Sequence, residues 1–386
     1  MRVRTAVTGT AVLLLSAALA GPALAAGPAP GAHTATRAAV RAAVTAGVPG
    51  ATATVRDAHG TWSTAAGVGD LRTGRPRSAH DRYRVASITK TFVATVLLQL
   101  EAEGRLSLDD PVDTWLPGLV RGHGHDGRRI SVRRLLNHTS GIHDYLADDD
   151  FRRDHLTGDG FFRHRYDTLA PRDLVAVAMR HAPDFAPGAS WGYSNTNYVL
   201  AGMVIERVTG RPYATEITRR IITPLRLTAT SLPGTRTGVP RPSGRAYSTF
   251  GVPGGPARDV TALDPSLASA AGEMISDSAD LTRFYGALLG GRLLPPRQLA
   301  EMRTTVPVKA APGVRYGLGL TDTRLACGTH VWGHGGEIPG SVSEAAASAD
   351  GRHTLAVNFD GDWAGDTTAV AEKEFCQPET RVSTGR

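Results

Sequence analysis

Behind Arg2 and Arg4 an apolar run extends from about Val7 to Ala20, followed by "GPALAAGPAPG" with Ala23 and Ala25 at the small-residue positions of a cleavage site. That pattern predicts a secretory signal peptide over residues 1–25, with an uncleaved anchor as the alternative. The run is short for a membrane span. Alanine and valine at helical spacing then predict a helix over 34–47. "ATATVRDAHGTWSTAAG" alternates with period two around Asp57–Gly60, a hairpin signal. An apolar helix starts at Ser87 and stops near Gly104, which suits a C-cap. The middle, about 105 to 265, mixes helical patterns such as "APRDLVAVAMRHA" with Gly/Pro-rich loops, and a further helix begins near Asn197. "DSADLTRFYGALLGG" is an amphipathic helix with Asp and Ser at its start and glycines at its end. Strands follow in "RYGLGL", "GTHVWGHGG", "GSVSEAAAS" and "GRHTLAVNFDG", then a helix from about Thr367 to Phe375. Strands at both ends with helices between predict an α/β domain over 27–376: a sheet part at about 27–86 and 282–376, and a helical part at about 87–281. Residues 377–386 read as a disordered tail.

Composition narrows the class. At 386 residues the chain is long enough for one large domain or two smaller ones. A signal peptide without a second apolar run predicts an exported protein, extracellular or wall-associated, with no stable membrane insertion. In an oxidising compartment Cys327 and Cys376 are expected to form one disulfide. The formal charge of +7 falls to about +5 without Arg2 and Arg4. It would draw the protein weakly towards anionic wall polymers. No basic run with interleaved aromatics suggests nucleic acid. "GHGHDG" (His123, His125, Asp126) lacks the further spacing of a hydrolase zinc site, so no metal is expected, and no cofactor. No GxSxG elbow is present. Asn137-His138-Thr139 fits a glycosylation sequon, a short pattern with a high chance rate.

The helix after "RVA" carries the chemistry. Ser87 and Lys90 are three residues apart and share one helical face. Ser87 stands at the helix N-terminus, where free N–H groups favour developing negative charge; the plainer reading is an N-cap. Of 43 basic residues three are lysines, at 90, 309 and 373. A chain that uses arginine wherever charge suffices has a reason to keep a lysine: a desolvated amine can give up its proton, and a guanidinium cannot. Lys90 is therefore a candidate base, with a surface or salt-bridged lysine as the alternative. Tyr193-Ser194-Asn195 sits on a turn that can aim a phenol into a cleft and offer an amide to a substrate carbonyl. In His334-Gly335-Gly336 the glycines let another backbone approach a strand edge, as a substrate held by main-chain bonds would. Taken singly, these last two motifs also fit a surface turn and a plain glycine turn.

In order, Ser-Ile-Thr-Lys, Tyr-Ser-Asn and His-Gly-Gly resemble the serine β-lactamase/penicillin-binding superfamily, whose S-x-x-K signature they share. Within it the chain is most similar to the class C β-lactamase-like branch and the secreted D-Ala-D-Ala carboxypeptidases of actinomycetes. "DRYRVASITKTFVATVLLQLEAEGRLSLDDPVDTWLPGL", "RRLLNHTSGIHDY", "PGASWGYSNTNYVLAGMVIE", "SAAGEMISDSADL", "YGLGL" and "EFC" also carry the similarity. The resemblance implies an antiparallel sheet flanked by helices with a mostly helical inserted subdomain. It implies Ser87 as acylated nucleophile, Lys90 as its proton partner, and Tyr193 as the base for acylation that also returns a proton to the leaving group. Asn195 would bind the substrate amide, His334, Gly335 and Gly336 would line the substrate strand, and the N–H groups of Ser87 and Glu337 would form the oxyanion hole. Cys327 and Cys376 match the disulfide positions of such a carboxypeptidase. Two positions depart from it: Gly335 replaces a threonine, and Thr321 an arginine that helps to hold the substrate's terminal carboxylate. The expected function is a monomeric D-alanyl-D-alanine carboxypeptidase acting on a small-molecule or peptide substrate. Alternatives are an esterase or weak β-lactamase, and a non-catalytic wall-binding protein.

Overall fold

The computed structural model describes residues 33–376, so the signal-peptide and tail readings lie outside the described residues. Nine antiparallel strands form the main sheet. In chain order they are β1 Gly50–Asp57, β2 Gly60–Asp70, β3 Arg75–Pro76, β4 Val306–Pro307, β5 Val314–Tyr316, β6 Thr321–Arg324, β7 His330–Ile338, β8 Ser341–Ala347 and β9 Thr354–Phe359. Across the sheet they run β4-β5-β6-β7-β8-β9-β1-β2-β3. The first and last parts of the chain meet where β1 pairs with β9, Ala53 opposite Val357.

The longer helices are α1 Thr34–Thr45, α2 Thr89–Ala102, α3 Pro171–Met179, α4 Asn195–Thr209, α5 Ser278–Leu289 and α6 Thr367–Phe375. Period-two alternation gives the sheet two apolar faces. Ala51, Ala53, Val55, Val357 and Phe359 pack with Val40 of α1 and Val370 of α6 on one face. Ala345, Ala347 and Ala356 pack with Leu281, Phe284 and Leu288 of α5 on the other. Helix α2 lies in the middle of this second layer and is buried on nearly every side. Its Phe92 ring stacks on Phe284 with centroids 3.6 Å apart. Of the shorter α-helices all but one lie between residues 103 and 277, and that one is Pro296–Met302.

Two local readings change. "RYGLGL" is not one strand: β5 ends at Tyr316, and Gly319 takes φ +69° where a Cβ would lie 2.7 Å from the Tyr198 hydroxyl and 2.9 Å from the Lys90 carbonyl. The glycine lets this turn press onto α2, and the chain then re-enters the sheet as β6. Helix α4 begins at Asn195, two residues before the expected start, because extended Ser194 (φ −145°, ψ 120°) already provides its entry.

Cys327, after β6, and Cys376, at the end of α6, form a disulfide with Cα atoms 5.7 Å apart. It ties the last helix to the sheet. No helix among the described residues is long and apolar enough to cross a membrane.

Candidate active site

Ser87 sits in a single 3-10 turn, Ala86–Ile88, that leads into α2. Ala86 takes φ +46°, a left-handed conformation that costs a residue with a Cβ roughly 1–3 kcal/mol. The strained turn points Ser87 out of the helix start into a cleft of about 850 Å³. Tyr145, Leu146, Trp191, Phe250 and Leu267 line one part of it, and the β7 segment from His334 to Ile338 another.

Lys90 lies one turn into α2 and is fully buried, whereas Lys309 and Lys373 are exposed. Its Nζ donates to Ser87 Oγ at 2.9 Å, to Asn195 Oδ1 at 2.8 Å and to the Ala271 carbonyl at 2.8 Å. Three acceptors use all the protons of an ammonium. Burial nevertheless lowers its pKa from 10.5 to about 7, partly offset by the charge of Asp144. Near neutrality the amine is thus often unprotonated and can accept a proton from Ser87. Asp144 also fixes Asn195: its carboxylate accepts from the Asn195 N–H and Nδ2, each at 3.0 Å. With Nδ2 so engaged, Oδ1 is turned to the lysine.

Tyr193 lines the cleft with Ser87, and its ring lies 4.8 Å from Lys90 Nζ. Desolvation pushes the phenol above its ordinary range despite the opposing influence of the Ser87 hydroxyl, so it holds its proton. Behind it stands buried His138, 4.3 Å away by ring centroids. His138 Nδ1 accepts from Asn197 Nδ2 at 3.1 Å and the Ser194 N–H at 3.3 Å, and burial holds the ring far below its usual pKa, hence neutral. The sequon reading thus meets an inward-facing turn, with Asn137 Oδ1 accepting from the Thr139 hydroxyl at 2.7 Å. His334 closes the group. Burial, followed by repulsion from Lys90, lowers its pKa to about 3. Its Nδ1–H donates to the Gly335 carbonyl, leaving Nε2 to accept from the Tyr316 hydroxyl at 2.8 Å.

The β7 segment is bonded on one side only. Strand β6 pairs with β7 from His330 to Gly333, and β8 pairs from Trp332 to Ile338. Residues 334–338 therefore present a free edge towards the cleft. Gly336 packs against the nucleophile turn so closely that a Cβ there would lie 2.1 Å from the Val85 carbonyl and 3.2 Å from the Ser87 nitrogen. This approach places the main chain at 336–337 beside the Ser87 N–H. The Glu337 side chain is exposed at the cleft, so it is the backbone N–H that faces the oxyanion position. On β8, Glu344 stands opposite Gly335. A Cβ on Gly335 would lie 3.1 Å from its Oε2.

Ser87, Lys90, Tyr193, Asn195, His334, Gly335, Gly336 and Glu337 are thus brought to one cleft. Sequence reasoning missed Asp144, His138, Tyr316 and Glu344. Asp144 lies in "RRLLNHTSGIHDY", where it reads as the cap of a short turn, and it does accept from the Leu146 N–H. Among the described residues no three His, Cys, Asp or Glu side chains group as a metal site.

The chain matches the Beta-lactamase family over residues 36–370. It is similar to the solved D-stereospecific amidohydrolase from Streptomyces sp., with 59% identity and a TM-score of 0.85 over 89% of this chain and 98% of that one. D-amino acid amidase from Ochrobactrum anthropi SV3, solved with L-phenylalanine amide, is 29% identical with a TM-score of 0.76, over 88% and 97%. Penicillin-binding protein 4* of Bacillus subtilis (strain 168) is 28% identical over 75% of this chain and 63% of its own length. Esterase EstB of Burkholderia gladioli is 36% identical over 42% of each. The chain spans less than two thirds of these curated relatives.

Proposed function

This chain belongs to the Beta-lactamase family of serine hydrolases, and from that premise we propose that it cleaves amides of D-configured amino acids through an acyl-enzyme on Ser87. The observation that carries the chemistry is the contact of a buried, low-pKa Lys90 with Ser87 Oγ at 2.9 Å. Neutral Lys90 takes the Ser87 proton as Oγ attacks the amide carbonyl. The N–H groups of Ser87 and Glu337 hold the oxyanion; such a donor contributes roughly 2.7–4 kcal/mol. Tyr193 gives its phenolic proton to the leaving nitrogen and recovers one from the Lys90 ammonium. Water then attacks the ester, its proton passes to the same pair, and Ser87 leaves protonated. Asn195, held by Asp144, binds the acyl portion, and the apolar wall from Tyr145 to Phe250 accommodates a hydrophobic side chain.

The preference for D configuration is supported by the likeness to the two D-selective hydrolases. Amide over carboxypeptidase substrates is supported by Gly335, which has no hydroxyl, and by Thr321, which has no guanidinium and whose hydroxyl donates to the Gly333 carbonyl, so neither is set to hold a terminal carboxylate. The test is hydrolysis of D- and L-phenylalanine amide, followed by chiral chromatography. D over L by at least about tenfold, lost in Ser87→Ala, is expected; equal rates would refute the reading. The second reading, a D-Ala-D-Ala carboxypeptidase, draws support from the penicillin-binding relative. Release of D-alanine from a peptide ending in D-Ala-D-Ala faster than ammonia from D-phenylalanine amide would establish it instead. We place the activity outside the cell, on the pattern of residues 1–25 and the Cys327–Cys376 bond.

A further inference from the structure

The cleft has a direction. The Ser87 N–H and the main chain at 336–337 mark where the carbonyl oxygen sits. Tyr193, the proton donor, packs in a group with Tyr316 and His334, its ring centroid 6.4 Å from His334. The leaving group therefore departs towards the His334–Gly335 end of the free edge. Beyond Gly335 the cleft continues to Thr321 of β6 and Glu344 of β8. Gly335 has no side chain to screen the Glu344 carboxylate, and among the described residues no hydrogen bond or ion pair engages it. The other charged side chains lining the cleft are Glu337, Asp362 and Arg152. Arg152 is on the short helix Asp149–His155 of the helical part, not on the sheet that carries Gly335 and Glu344. Asp366, at the start of α6, adds negative charge near Glu344.

We propose that Glu344 sets the charge preference of the leaving-group end: it rejects leaving groups that carry a free carboxylate and admits neutral or cationic ones, and by the same contact favours such amines as acceptors of the acyl group. This deepens the amide-hydrolase reading and rests on it for the direction of the cleft. Burial, then Asp366, raises the Glu344 pKa to about 7, so its charge is fully developed in an assay at about pH 9.

The experiment compares two substrates with one acyl part, D-Phe-D-alaninamide and D-Phe-D-Ala, in wild type and Glu344→Gln. The ratio of their kcat/KM values cancels any loss of active protein. The wild-type ratio should favour the amide by at least about tenfold, and the variant should lower it at least about fivefold. Glu337 and Asp362 keep it above unity. A ratio that stays within about twofold of wild type overturns the proposal. A second readout does not need D-selective amide cleavage. The acyl-enzyme formed from p-nitrophenyl acetate is partitioned between water and D-alaninamide or D-alanine, at equal free-base concentration. Preference for D-alaninamide that falls in Glu344→Gln supports the role of Glu344 even if D-phenylalanine amide is not cleaved. Equal partition in wild type refutes it even if D-phenylalanine amide is cleaved.

Discussion

Adjacent glycines on β7 offer a test of whether the nucleophile turn and the substrate edge are held in register by contact. In Gly336→Ala the new methyl would stand 2.1 Å from the Val85 carbonyl oxygen and 3.2 Å from the Ser87 nitrogen. An ordinary carbon–oxygen contact is about 3.3 Å, so strand and turn must separate by about 1 Å. Both obstacles are main chain, on a turn already strained at Ala86, so neither can swing aside. The same displacement pulls the two oxyanion donors apart. A misplacement of about 1 Å costs on the order of 100-fold in rate, and loss of one such donor about 100- to 1,000-fold. Overpacking should cost roughly 1–3 kcal/mol of stability. Gly335→Ala is the spatial control: its methyl would meet the mobile end of Glu344 at 3.1 Å, and the nearest main chain, the Ser343 carbonyl, at 3.7 Å. The assay is kcat/KM on p-nitrophenyl acetate with a thermal melt of each variant. Gly336→Ala should lose at least about tenfold more activity than Gly335→Ala. Folded Gly336→Ala with kcat/KM within about threefold of wild type would refute the placement of the oxyanion site.

Because Lys90 must be neutral to accept the Ser87 proton, kcat/KM should fall as pH drops through about 7; the Asp144 charge raises the Lys90 pKa, so Asp144→Asn should move that acid limb to lower pH, and an unmoved or higher limb would contradict the coupling. Replacing Cys327 and Cys376 by serine frees a loop spanning 49 positions, which should cost about 4 kcal/mol on the chain-entropy estimate; the denaturant midpoint should drop accordingly, and an unchanged midpoint would show that the bond does little to hold α6.

What the sequence made legible was local or compositional. Lys90 stood out because arginine fills nearly every other basic position, and the structure puts the other two lysines at the surface. The hairpin at Asp57–Gly60 and the helix from Thr367 follow from period and caps. What it hid depends on partners far along the chain. Glu344 reads as one polar residue in "GSVSEAAAS" until the β7–β8 register sets it opposite Gly335. His138 looks like the middle of a sequon until the turn at Tyr193, some fifty residues on, packs against it. "RYGLGL" has the composition of a strand, yet the contact of Gly319 with α2 breaks it, and that contact has no local signature. Asp144 announces a capped turn, which it makes, and conceals the hold on Asn195.

One consequence of burial joins these residues into a mechanism. The resemblance cast Tyr193 as the base that activates the serine. Desolvation acts on the neighbouring amine and phenol with opposite sign, since it disfavours whichever form is charged. It lowers Lys90 to about 7 and raises Tyr193 above its ordinary range. The same dry pocket thus makes the lysine the readier acceptor and keeps the tyrosine a proton donor, suited to the leaving nitrogen. Protonating Lys90 reverses part of this, because an ammonium 4.8 Å from the ring favours a phenolate. The proton that Lys90 takes from Ser87 is then what lets Tyr193 release its own, so the two groups must titrate as a pair. An arginine at position 90 could take no proton, and a solvent-exposed lysine would stay charged at neutral pH, so the chemistry requires a lysine and requires it buried.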